Sequence, residues 1–277
     1  MAVPRYLEKY ENSAGTVSYV WPLNAYEWQS SQSLRTPNSL IAGADYAYDL
    51  RGSLPGLKAL AQERVRFLDV QASTSALETD LDSLRSELWQ IGRGKLYVLD
   101  SAASRRWAYA RLAAMPEMTL GVGMTRHVPV SLQFDRYSDW FATSLTTHTE
   151  AVAVSPKTFT VNNPGNAPVT LMTIRLRSSS AAGFTNPLLE NLTNGYSWSS
   201  TRDAASVNDE LKVDTDAMTV QRSTDDGVSY TNDFALFSRG LTQIGYFRLE
   251  PGDNSVRYTD GGTPNLDIVF TYYASYH

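Results

Sequence analysis

The chain has 277 residues, enough for one large domain or two of ordinary size. Its 42% hydrophobic and 19% charged content fits a packed globular protein and excludes a disordered one. With no cysteine, disulfides and thiolate chemistry are excluded as well. The net charge of −5 is unevenly placed: residues 1–145 carry 15 acidic and 15 basic side chains, residues 146–277 carry 14 and 9. This places a domain boundary near 145, giving domains 1–145 and 146–277. An acidic second half lacks the basic face that phosphate contact wants, so no specific nucleic-acid binding is expected. The N-terminal MAVPRYLEKYENS is charged and has no apolar core, which argues against a signal peptide, and no window nears 18 consecutive apolar residues, so no membrane span is expected.

In chain order, residues 1–60 are rich in aromatics, among them Tyr6, Tyr10, Tyr19, Trp21, Tyr26 and Trp28. They suit either a core-filling β-arm or a contact surface, since these rings pair an apolar body with a polar handle. Glu63–Val70 alternates as a half-buried strand, with Val65 and Phe67 on one side. A helix follows. Ser75-x-x-Glu78 reads as its capping box, with Asp80 and Asp82 favouring the positive end. Leu77, Leu81, Leu84, Leu88 and Ile91 form one apolar stripe, and Gly92 and Gly94 stop the helix. Strands are expected at Lys95–Asp100, Trp107–Leu112 and Val128–Phe134, which makes the first half α+β. Beyond residue 150, short alternating runs separated by Pro164-Gly165, Asn194-Gly195, Asp225-Asp226-Gly227, Pro251-Gly252 and Gly261-Gly262 predict an antiparallel sandwich or barrel. The fold class is mainly β.

Catalytic and metal motifs are missing. His127, His148 and His277 are far apart and lack ligand spacing. Gly121-Val-Gly123 lacks the third glycine of a dinucleotide loop and reads as a bend. Asp214, Asp216, Asp225 and Asp226 fit hairpin turns better than a calcium loop. No cofactor and no catalytic residue is expected. Asn191-Leu-Thr193 is a glycosylation sequon without a secretory signal and is read as inert. The basic residues Arg93, Lys95, Arg105, Arg106, Arg111 and Arg126 suit a solvated face or subunit salt bridges, with polyanion binding the lesser reading. Tyr196 and Trp198 share one strand face and form the candidate carbohydrate contact, weighed against a buried core Trp.

The second half carries the wording of a known family. An Asn-Pro-Gly-Asn-x-Pro turn (Asn163 to Pro168) is followed by Asn186-Pro187 and Asn191 to Gly195. A Val213–Asp216 hairpin, the Asp226-Gly227 turn and Phe-x-Leu-x-Pro-Gly-x-Asn (Phe247 to Asn254) complete it. In order, these resemble the C-terminal galectin-like sandwich of distal tail proteins (Dit) from long-tailed bacteriophages. Leu40–Asp45, the capped helix, Gly94–Tyr97, Arg106–Met115 and Phe134-Asp135 are similar to the ring-forming domain of the same family.

The resemblance implies a non-enzymatic structural part of the tail tip or baseplate, sited in the virion at the distal end of the tail and assembled in the host cytoplasm. Residues 1–145 would form a ring, usually a hexamer, that meets the tail tube protein and a tail-tip hub or tail-associated protein. Residues 146–277 would project outward toward receptor-binding proteins. A carbohydrate-binding module contacting host glycans is the alternative. If the ring encloses a DNA channel, the arginine cluster should face neighbouring subunits or the tube rather than the bore.

Overall fold

The computed structural model describes residues 6–12, 14–20, 26–31, 47–48, 57–58, 61–70, 73–101, 104–114, 127–181, 183–204, 206–240 and 246–277. Among them are twenty strands and one α-helix, a mainly β fold. The chain divides into two compact units, Met1–Phe141 and Ala142–His277. The Leu40–Asp45 motif, Trp21, Gly121–Gly123, Met115 and Arg126 lie outside the described residues, as do the side chains of Tyr6, Tyr26, Trp28, Phe67 and His127.

In unit 1 the antiparallel order is β2 (Ser18–Val20), β1 (Tyr6–Asn12), β7 (Arg93–Ser101), β8 (Ser104–Ala114), β9 (His127–Arg136), β6 (Ala61–Val70), β3 (Tyr26–Ser31). A small ladder pairs β4 (Ala47–Tyr48) with β5 (Leu57–Lys58). Strict alternation sends Leu96 and Val98, Ala108 and Ala110, and Val130, Leu132 and Phe134 to one buried face. Helix α1 (Thr74–Ile91) buries the expected stripe of Leu77, Leu81, Leu84, Leu88 and Ile91. Five buried aliphatic chains at about 1.5–3 kcal/mol each make this packing the main reason the helix is stable here.

The helix start differs from the sequence reading. Ser73 is the N-cap, and its Oγ accepts from the Ala76 N–H at 3.2 Å. Ser75 and Glu78 are therefore already helical, no acidic residue lies in the first turn, and Asp80 and Asp82 sit too far along to meet the positive end. Gly92 at φ 60 ends the helix. At Gly94 any Cβ would collide with the Glu11 carbonyl and approach Ile91 Cγ2 to 2.7 Å, so only glycine lets the helix end and β1 crowd β7. The buried Tyr10 hydroxyl lies 2.5 Å from the Gly92 carbonyl oxygen and 3.1 Å from that of Ala110, and burial pushes its ionisation upward.

Unit 2 is two stacked antiparallel sheets. The first has the order β17 (Thr231–Asn232), β16 (Thr219–Ser223), β15 (Glu210–Asp214), β12 (Met172–Ser178), β20 (Leu266–Tyr276), β10 (Trp140–Val152). The second runs β11 (Lys157–Asn163), β19 (Gly252–Thr259), β13 (Leu188–Asn191), β14 (Tyr196–Ser200), β18 (Phe237–Arg239). Ile174, Leu176, Ile268 and Phe270 from the first sheet share one core cluster with Phe159, Val161, Val256 and Tyr258 from the second. This is the packing of a β-sandwich.

Candidate assembly surfaces

The asparagine-rich turns prove to be clasps. Asn163 is fully buried; its Nδ2 donates to the Ala167 carbonyl at 2.9 Å and its Oδ1 accepts from Gly165 N–H at 3.0 Å. Gly165 presses on the backbone of Ser275, Ala167 N–H donates to the Ser275 carbonyl, and Asn166 Oδ1 accepts from His277 N–H. The turn thus fastens β11 to the end of β20. Asn191 and Asn254, on neighbouring strands, do the same for the second sheet. Asn254 Oδ1 accepts from Glu250 N–H and Asn191 Nδ2, while its Nδ2 donates to the Glu250 and Gly252 carbonyls. Asn191 Nδ2 also reaches the Arg248 carbonyl at 2.8 Å. The sequon asparagine is therefore spent inside the fold. Asp214 and Asp225 accept from the amides of their own turns, as hairpin residues do.

Trp198 does not offer a sugar platform. It is 1% exposed, packs 5.7 Å from the Phe237 ring, and its Nε1–H has no hydrogen-bond partner among the described residues. A stacking face needs exposure, which the alternation of β14 denies because Trp198 points inward. Tyr196, two residues before it, is half-buried and packs against the same core. The pair is a core pair.

Four of the six expected basic residues, Arg93, Lys95, Arg105 and Arg111, are brought together on unit 1, with a feature the sequence did not announce. Register places Lys9 and Glu11 of β1, Arg93, Lys95 and Tyr97 of β7, and Trp107, Tyr109 and Arg111 of β8 on one face. This is the sheet face opposite the helix. Cations cap the rings: Lys9 Nζ lies 4.4 Å from the Tyr97 centroid, Arg93 Cζ 5.1 Å from Tyr109, and Lys95 Nζ 4.8 Å from Trp107. Such contacts contribute about 0.5–1 kcal/mol where exposed and more where desolvated, as beside the buried Trp107 ring. Arg93 and Arg111 stand directly opposite each other, a like-charge pairing with a cost, which Asp135 opposite Arg111 on β9 tempers. Arg105 pairs with Glu8, and Lys9 with Glu11. Hydrogen bonds and charge from Lys9, with a bond from the Tyr97 hydroxyl, outweigh burial and hold the Glu11 carboxyl below its ordinary range. Arg106 pairs with Val98 and falls on the other face. The alternation K-x-Y in β7 and W-x-Y-x-R in β8 was the available signal for this arrangement.

Among the described residues of unit 1, Glu11, Glu63, Asp69 and Arg136 are buried, and two of them form an ion pair. Arg136 Nε donates to Glu63 Oε1 at 3.0 Å, with 5% and 0% of their side chains exposed. The guanidinium also donates to the Ser138 carbonyl and lies over the Trp140 ring. On the helix, Trp89 is 78% exposed, one residue off the apolar stripe. Tryptophan is among the residue types enriched at interface hot spots.

Among the described residues no group of three or more His, Asp or Glu could hold a metal ion, and no helix is long and apolar enough to cross a membrane. His148 stacks 6.0 Å from the Phe159 ring beside Glu150, and exposed His277 sits at the turn clasp.

A helix laid on an antiparallel sheet, followed by a two-sheet sandwich, is a fold similar to that of a solved phage hub protein. The solved structure of Dit (gp 19.1) from phage SPP1, described as a paradigm of the hub adsorption apparatus in phages infecting Gram-positive hosts, superposes with a TM-score of 0.54 at 16% identity. The match covers 98% of this chain and 99% of that one. Two phage P2 baseplate structures in the activated conformation, with Sr and with Ca, match at TM-scores of 0.42 and identities of 11% and 10%. They cover 97% and 99% of this chain, and 98% and 100% of theirs. No protein-family model and no curated protein matches the chain.

Proposed function

We propose that this protein is a non-enzymatic structural hub of a bacteriophage tail tip, forming a ring that joins the tail tube to the host-adsorption apparatus. The observation that carries this reading is the superposition on the SPP1 hub protein over almost all of both chains, so that both units, in order, have counterparts. Residues 1–145 make the ring, a hexamer, and meet the tube protein and a tail-tip partner. Residues 146–277 form the galectin-like domain, which faces outward toward receptor-binding proteins. The protein acts in the virion, at the distal end of the tail, after assembly in the host cytoplasm. The role asks for rigid domains and wide contact faces rather than a reactive group, in keeping with turns and buried polar side chains consumed by the architecture.

The test is the mass and shape of the purified full chain. Light scattering coupled to gel filtration should return six copies, and electron microscopy should show closed rings of the same diameter at the tail end of virions. A strictly monomeric species up to high concentration, with no ring at the tail tip, would refute the proposal.

A further inference from the structure

Unit 1 presents two faces of opposite charge on opposite sides of one sheet. On the helix side, α1 carries Glu78, Asp80, Asp82 and Glu87 against the single Arg85. Of these, Glu78, Asp82, Arg85 and Trp89 recur at i, i+4, i+7 and i+11, one stripe alongside the buried one. The rest of the outward arc is small and polar: Ser75, Thr79, Ser83, Ser86. On the far side of the sheet, cations outnumber acids: Lys9, Arg64, Arg93, Lys95, Arg105 and Arg111 against Glu8, Glu11 and Asp135. Arg93 and Arg111 are register partners, and the Arg93 guanidinium lies over Tyr109, so like charges stand side by side where an incoming acid or electron-rich ring would be favoured.

We infer that the occupant of the cationic sheet face is the α1 face of a second copy of this chain, with Trp89 as the anchor set against the Arg93–Arg111 rung and Glu78 and Asp82 facing its cations. The inference rests on the ring reading above and specifies which surfaces close the ring. Because the two faces lie on opposite sides of the sheet, the contact is head-to-tail. Such a contact propagates from copy to copy and closes when the rotation permits. It also gives a role to Trp89, 78% exposed beside acids, since tryptophan is a residue type enriched at interface anchors. The match of signs fixes orientation and speeds encounter, while the ring of Trp89 supplies the desolvated anchor.

The experiment uses the full chain and mass photometry across a dilution series. Trp89→Ser should weaken assembly at least about thirtyfold, the size of an interface hot spot. The pair Glu78→Lys/Asp82→Lys, and separately Arg93→Glu/Arg111→Glu, should each give monomers. Mixing these two double variants should restore assembly, because each then offers the complement of the other; alternation makes the restored rings even-numbered. All these positions are exposed or half-buried, and circular dichroism melts will identify a variant that has lost its fold. Trp89→Ser, the most exposed of them, remains decisive if a charge variant misfolds.

If the wild type forms rings and the variants form them equally well, the inference is wrong and the ring reading stands. If the wild type never leaves the monomer, the ring reading itself falls and takes the inference with it. Restoration on mixing is the outcome that a merely structural role for these residues would not produce.

Discussion

Unit 2 buries the inner faces of its two sheets against each other, whereas the unit 1 sheet meets a helix on one face and carries a layer of cations over aromatic rings on the other. Polar groups are handled differently too. Unit 2 uses buried asparagines that hold their own turns and neighbouring strands, and it pairs the buried carboxylates Asp209, Glu210 and Asp233 with partly exposed arginines. Unit 1 buries a full ion pair, Glu63 with Arg136, joining β6 to β9. The contrast separates two design tasks. In the sandwich most buried polar groups are answered by partners within the same unit. The unit 1 sheet instead carries partly exposed cations over aromatic rings on the face away from its helix.

The contrast can be broken at the two tryptophans. Trp198→Ala should cost about 4 kcal/mol of folding stability, because it empties a site at the centre of the sandwich. Trp89→Ala should stay within about 0.5 kcal/mol in the monomer, since the ring lies in solvent. Denaturant titrations of the two variants give the comparison directly, and equal losses would show that one of the environments is misassigned.

Next in size is the buried pair. Glu63→Ala strands Arg136 without its partner and should cost about 3 kcal/mol, while the double substitution Glu63→Met/Arg136→Met should recover most of that. A double-mutant cycle on thermal or denaturant unfolding measures this, and additive losses would mean the two charges do not act together. Asn254→Ala removes four hydrogen bonds and leaves the Glu250 amide unsatisfied; about 2 kcal/mol is expected, detected as a shifted unfolding midpoint with unchanged slope.

The smallest expected effect is a pH response in a unit 2 turn. Bonds from the Ser223 hydroxyl and from the hydroxyl and amide of Ser229 lower the Asp225 carboxyl from 3.8 to about 2. A depressed folded value means the turn is supported above the unfolded value of 3.8 and loses that support as pH falls through about 2. The Ser229 amide resonance should titrate with that midpoint, and the transition should vanish in Asp225→Asn.

How much of this was written in the sequence depends on the range of the cause. The helix stripe from Leu77 to Ile91 was legible because one period of 3.6 residues decides it. The cap was misplaced by two residues because Ser73 and Ser75 both suit an N-cap, and only the backbone of Ser73, extended rather than helical, chooses between them. The hairpins at Asp214 and Asp225 were legible as local turn chemistry. Trp198 was harder. Its strand alternates, but which side of the alternation faces the core depends on the opposing sheet, which has no trace within β14. Glu63 and Arg136, seventy-three residues apart, meet only through the β6–β9 register. The cation–aromatic layer was half visible: the cluster of charges could be counted, but its rings and its single face needed the register of three strands.

The Asn163–Asn166 clasp has a further bearing, on timing. It grips the end of β20 across 111 residues, and β20 itself lies between β12 and β10 in the middle of its sheet. Among the strands described, β20 leaves the ribosome last. Unit 2 therefore has no native centre for its first sheet until synthesis has passed every other strand, while the ladder of unit 1 from β2 through β8 and β9 to β3 is complete by β9 and free to settle earlier. Newly made chains would pass through a stage in which a folded unit 1 precedes an unformed sandwich.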